Sequence, residues 1–207
     1  MVRLLIKAII FDYYGVMCPR IAPILARETA KQFGVKYTSV YQVMDRLLDL
    51  MDDNSINFYE YWRRLKFKFK SKEVRLSDHQ KKWEECTLKL ELWPEMKNLV
   101  LRLRKLGYTV PVLSNVARKM AEYNMLKGRY KIFKPIFLSY EIGSKKPSTS
   151  IFRHALKRMG LKPSECIFID DNEQYLSGAK SVGIKTILFK NTVQLKTELK
   201  RCGIHGI

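Results

Sequence analysis

The stretch Val2-Arg3-Leu4-Leu5-Ile6-Lys7-Ala8-Ile9-Ile10-Phe11-Asp12-Tyr13-Tyr14-Gly15-Val16 decides how the rest of the chain is read. Val2 to Phe11 is a short, largely apolar run that stops at a carboxylate and a glycine, which predicts a buried parallel strand followed by a sharp turn. An acid at that point faces the crevice in which open parallel sheets bind their ligands. The apolar run is too short for a membrane span and is interrupted by Lys7, so no membrane partner is expected. Nor does it read as a signal peptide, because cleavage would remove the residues richest in chemistry.

From Ile21 to about Leu90 the pattern turns helical. Leu25, Thr29 and Phe33 end at Gly34; Val40, Val43, Leu47 and Leu50 follow a Thr38-Ser39 cap; Asp52-Asp53-Asn54 breaks the run. A third helix carries Phe58, Trp62, Leu65 and Phe69, and a fourth, beginning near Ser77-Asp78, carries Trp83, Thr87 and Leu90. Beyond Trp93, helix and strand alternate. A helix with Pro94 in its first turn and Leu99, Leu103 and Leu106 on one face ends at Gly107, and strands are expected at Tyr108 to Leu113, Ile136 to Leu138, Glu165 to Ile169 and Lys185 to Phe189. The expected fold is α/β, a doubly wound, Rossmann-like parallel sheet. Its first strand is separated from the others by helices, so residues 1–17 and 92–207 are expected to form a discontinuous core and 18–91 an inserted helical lid.

The chain has 207 residues, enough for such a domain without disulfides. Cys18, Cys86, Cys166 and Cys202 lack Cys-x-x-Cys spacing and lie in or beside apolar stretches, which fits a reducing, cytoplasmic setting. With 39 Lys and Arg against 20 Asp and Glu, the net charge of +19 attracts anionic partners.

Four segments at predicted strand ends carry chemistry. Asp12 follows the first strand. Val112-Leu113-Ser114-Asn115 ends in a hydroxyl able to hold an anionic oxygen, with the start of a helix behind it. Gly143-Ser144-Lys145-Lys146-Pro147 can place an ammonium against a phosphate. Ile167-Phe168-Ile169-Asp170-Asp171-Asn172 ends in adjacent acids. Singly, Asp12, Ser114 and Asp170-Asp171 read better as helix caps, and Lys146 as a solvated charge. Together, three carboxylates converging on one crevice repel one another, and a hard divalent cation, Mg²⁺, relieves that repulsion.

These four elements, in this order, strongly resemble the haloacid dehalogenase superfamily of aspartate-nucleophile hydrolases. The similarity covers nearly the whole chain, with Ala8 to Met17, Leu113 to Asn115, Phe137 to Gly143 leading to Lys146-Pro147, and Phe168 to Gly183 the most family-like segments; the helical insertion matches the subgroup with an all-α cap after the first motif. The resemblance implies that Asp12 is the nucleophile, that Ser114 and Lys146 stabilise charge, with Asn115 beside them at the substrate, and that Mg²⁺ is held by Asp12, Asp170, Asp171 and the backbone carbonyl of Tyr14. The implied substrate is a small anionic, phosphorylated molecule.

Two departures stand out. Family phosphatases usually carry a second aspartate two residues after the nucleophile as general acid and base; this chain has Tyr14, as the dehalogenases themselves do. Tyr175 stands where Asn or Asp is common. A phenol near pKa ~10 is a poor base at neutral pH, so slow phosphatase chemistry is expected. The paired acids of the fourth motif still favour phosphatase over 2-haloacid dehalogenase. The other reading, from a different class and ranked ahead of dehalogenation, is a catalytically weak member binding a phosphate ligand, a protein or RNA. Arg63 to Lys72 is basic with interleaved aromatics, yet Phe58, Trp62, Leu65 and Phe69 fall at helical spacing, which assigns the cations to a solvated face and argues against nucleic acid. His79, His154 and His205 are expected at the surface.

Overall fold

The computed structural model describes residues 6–70 and 74–207. Strands β1 (Ala8–Phe11), β2 (Val112–Ser114), β3 (Ile136–Leu138), β4 (Cys166–Asp170) and β5 (Lys185–Leu188) form one sheet in the order β3-β2-β1-β4-β5, every pair parallel. The chain therefore winds outward from β1 to β3 on one side, then crosses to β4 and β5 on the other. That places the topological switch at β1, with its carboxyl end flanked by those of β2 and β4. The central strands β2, β1 and β4 are buried on both faces. Ile9, Phe11, Val112, Ile167 and Ile169 enter one apolar cluster, while Ala8, Ile10, Leu113, Cys166 and Phe168 enter another, as the alternation of a strand requires.

Helices α1 (Ile21–Phe33), α2 (Tyr37–Met51), α3 (Phe58–Lys68) and α4 (Leu76–Leu88) occupy the chain between β1 and α5 (Pro94–Lys105). The chain leaves at Met17 and returns at Trp93, whose N–H donates to Met17 O at 2.9 Å. No named strand occurs among the described residues of this segment. Its helices share the larger apolar cluster with β1 through Tyr13, Val16 and Met17. The remaining helices are α6 (Arg118–Leu126), α7 (Ser139–Ile142), α8 (Thr149–Met159), α9 (Glu173–Ser181) and α10 (Thr192–Arg201), with 3₁₀ turns at Arg129–Ile132 and Pro163–Glu165.

Several expectations are corrected. The strand expected from Tyr108 is β2, Val112–Ser114, because Pro111 has no N–H to donate; Thr109 and Val110 make only isolated bridges. Within the first strand, residues 2–5 lie outside the described residues and β1 starts at Ala8. Helix α2 begins at Tyr37, with Lys36 at its cap, so Thr38 and Ser39 lie inside the first turn; its buried face is Val40, Met44, Leu47, Leu48 and Met51. Likewise Ser77 and Asp78 fall within α4, whose cap position is Arg75. Leu106 lies just past α5 and is exposed. His79 is fully buried, packed among Phe33, Phe58, Tyr61 and Trp83, whereas His154 and His205 are exposed. Cys18 and Cys166 are buried, Cys86 and Cys202 half-buried, and all four are free thiols.

Candidate active site

Asp12 leaves the sheet at the end of β1, where its N–H donates to Ile169 O of β4 at 2.8 Å and brings the two motif ends together. One carboxylate oxygen from each of Asp12, Asp170 and Asp171 lies within 4.8 Å of the other two. Lys146 Nζ donates to Asp12 Oδ1 at 2.5 Å and to Asp170 Oδ2 at 2.6 Å. This ammonium, with no exposed surface, is further walled by the rings of Phe168 and Tyr175, whose centroids lie 5.4 and 4.9 Å away. Asp170 Oδ1 accepts the Asn172 N–H, and Asp171 Oδ2 accepts from Arg20 Nε at 2.6 Å.

The electrostatics follow from burial. Desolvation pushes the Asp12 carboxyl up to about 7, with Lys146 pulling it back and Asp170 adding to the rise. Asp170 is raised for the same first reason. Burial alone would lower Lys146, yet the two carboxylates outweigh it and hold the ammonium charged. Lys146 and Arg20 together set two cations against three carboxylates, a cluster of hard oxygen donors. That donor set fits a divalent cation such as Mg²⁺.

Two glycines set the close approaches. Gly15 has φ +93, and a Cβ there would stand 2.2 Å from Asp171 Oδ2. Gly178 in α9 lets that helix pass against the loop carrying the ammonium, since a Cβ would stand 1.9 Å from Pro147 O.

The remaining sequence-derived residues are each held by their own hydrogen bonds. Asn115 accepts the Lys146 N–H at 2.8 Å and donates Nδ2 to Lys146 O at 2.9 Å, so its carboxamide holds the lysine backbone in place while the residue also lines the cavity. Ser114 is fully buried, its hydroxyl donating to Asn115 O. Tyr14 is half-buried, and its phenol oxygen accepts from Asn124 Nδ2 at 2.7 Å. Burial raises its pKa well above 10. Asn124 and Arg129 were not singled out from sequence. Asn124 also accepts from Tyr13 Oη and Arg129 Nη1, while buried Arg129 donates to the carbonyls of Thr87, Leu88 and Leu90 where α4 ends.

Above these residues lies a cavity of about 680 Å³, lined on the core side by Asp12, Tyr14, Asn115, Lys146, Asp171 and Tyr175, and on the helical side by residues of α1 and α2, among them Tyr41, Asp45 and Asp49, and by Asp52 just past α2. Haloacid dehalogenase-like hydrolases match residues 6–183. The chain belongs to that family. A glyceraldehyde 3-phosphate phosphatase from Pyrococcus furiosus is 32% identical over 162 residues, 70% of this chain and 63% of that protein. The chain spans about half the length of the curated relatives it matches. A family enzyme from Bacteroides thetaiotaomicron, solved with magnesium and inorganic phosphate, shares the fold at TM-score 0.69 and 22% identity over 89% of this chain and 94% of the other. A structure described as a dehalogenase superposes at TM-score 0.68 and 19% identity, covering 87% and 83%. Among the described residues, no helix of this family member is long and apolar enough to cross a membrane.

Proposed function

We propose that this chain is a Mg²⁺-dependent phosphatase that uses Asp12 as nucleophile on a small phosphorylated substrate. The observation that carries this reading is the Asp12–Lys146–Asp170–Asp171 centre at the floor of the cavity. Curated relatives named as phosphatases of small sugar phosphates support the substrate class. A magnesium ion held by Asp12, Asp170, Asp171 and the Tyr14 carbonyl would neutralise the phosphoryl oxygens and orient the group for attack.

In this reading an Asp12 oxygen attacks phosphorus and the bond to the leaving oxygen breaks, giving a phosphoryl-Asp12 ester. Water then attacks the same phosphorus and releases phosphate. Lys146 carries part of the transferring charge because it is desolvated and fixed by Asn115. Arg20 holds Asp171 in place from the cavity mouth. The helices from 18 to 91 act as a lid that closes the cavity and supplies the substrate contacts.

A second reading, 2-haloacid dehalogenation, is favoured by Tyr14, since departing halide needs no proton. Screening purified protein on phosphate monoesters and on 2-haloacids, each with Mg²⁺ and after chelation, separates the two. The phosphatase reading predicts Mg²⁺-dependent monoester turnover that falls at least ~100-fold in Asp171→Ala. Metal-independent halide release would establish the second reading instead.

A further inference from the structure

Proton transfer has no group to perform it at the usual position. Tyr14 stands there with a phenol that keeps its proton at neutral pH and is bound to Asn124. Other carboxylates around the cavity are engaged: Asp12 and Asp170 with Lys146, Asp171 with Arg20, and Asp49 with Lys145. Asp45 lies on the exposed rim. Asp52 differs, because it lines the cavity, is half-buried, and among the described residues its carboxylate has no hydrogen-bond or ion-pair partner.

Its backbone is fixed from the core side. Asp52 O accepts from Ser139 Oγ, and Asn54 Nδ2 donates to Tyr140 O at 2.7 Å. Lys145 Nζ spans Asp49 O, Asp49 Oδ2 and Asp53 Oδ2 at 2.6, 2.7 and 3.1 Å. Ser139, Tyr140 and Lys145 belong to the segment leading directly into Lys146. A residue of the helical segment is thus held in place by the loop that supplies the catalytic ammonium.

We propose that Asp52, presented to the cavity from the C-terminal end of α2, donates a proton to the leaving oxygen and then takes one from the attacking water. This rests on the phosphatase reading. In the first half, the Asp12–phosphorus bond forms, the phosphorus–oxygen ester bond breaks, and the Asp52 proton passes to the departing alkoxide, leaving an alcohol. In the second, ionised Asp52 accepts a proton from water as its oxygen bonds to phosphorus and the Asp12 ester bond breaks; phosphate leaves and both carboxyls return to their starting states. The surroundings suit the first task. Burial raises the Asp52 carboxyl well above its ordinary value; Asp49 and Asp53 add to the rise, Lys145 and Lys146 oppose it, and Tyr175 faces it from α9. A carboxyl so raised remains protonated at a pH where an ordinary aspartate is ionised.

The test compares an alkyl phosphate, whose leaving group needs a proton, with 4-nitrophenyl phosphate, whose leaving group does not, using Mg²⁺-loaded protein. Asp52→Asn should lower kcat/KM on the alkyl ester ~100-fold or more and erase the alkaline limb of its pH profile. On the aryl ester it should release a burst of nitrophenolate equivalent to the enzyme, followed by slow turnover. Asp52→Glu should recover part of the alkyl activity. Equal losses on both substrates without a burst, or an unchanged pH profile, would overturn the assignment and leave Asp52 a structural residue. A wild-type protein that turns over neither substrate overturns the phosphatase reading itself, and this assignment with it.

Discussion

At the scale of single residues, Gly15 shows why the first motif needs its glycine. Its positive φ excludes most side chains, and the space a Cβ would take is filled by the Asp171 carboxylate, itself held by Arg20. Gly15→Ala is expected to cost about 1–3 kcal/mol of backbone strain and to weaken Mg²⁺ binding at least ~10-fold by displacing Asp171. Titration calorimetry with Mg²⁺ checks this, and wild-type affinity in the variant would contradict it. Asp12, Asp170 and Asp171 were legible as neighbours because each stands at the end of an apolar strand run, and strand ends converge whatever the spacing between them; Lys146, separated from β3 by α7, was legible only from its motif. Asn124, Arg129 and Asp52 were not. Arg129 meets residues some 40 positions away across the end of α4, and no periodicity records such a partner. Asp52-Asp53-Asn54 was visible only as a helix break, because its role depends on Ser139, Tyr140 and Lys145 arriving from the other side of the molecule.

At the scale of elements, α1, α3 and α4 meet around His79, an imidazole with no exposed surface ringed by Phe33, Phe58, Tyr61 and Trp83. The ring nitrogen Nδ1 lies 2.6 Å from Gln32 Oε1, and among the described residues Nε2 has no partner. Burial lowers the pKa from 6.5 to about 4. A folded-state pKa below the unfolded one means that the unfolded chain binds the extra proton first. The stabilising effect of a neutral His79 is therefore complete above pH 6.5 and declines as pH falls toward 4, by roughly 3 kcal/mol in total. Thermal melts from pH 7.5 to 4 should show a Tm fall that is clearly smaller in His79→Phe; a wild-type and variant Tm gap that stays constant over that range would contradict it. The helices themselves were legible from apolar spacing. Their starts were not, because Lys36 and Arg75 occupy the cap positions without any capping side-chain bond, and the nearby Ser and Thr residues drew the expected boundaries inward.

At the scale of the whole molecule, the net charge of +19 surrounds an anionic floor. In the proposed reading, a positive field would draw phosphorylated solutes toward the cavity, where Lys146 and a bound cation would receive the phosphate. The basic run on α3 does not gather over the site: Arg63 and Arg64 pair with Glu60, Lys66 lies over the Trp62 ring, and Phe67 is 87% exposed. The sheet order, with its switch at β1, brings Asp12 between the ends of β2 and β4 and under the helices inserted after it. Asp12 is the nucleophile in the proposed reaction. The most direct measurement is mass spectrometry of protein mixed with Mg²⁺ and an aryl phosphate, quenched in acid and digested. The peptide containing Asp12 should carry a phosphoryl group in the wild type and none in Asp12→Asn, which should also lose turnover; unmodified Asp12 during active turnover, or full activity in Asp12→Asn, would contradict the account.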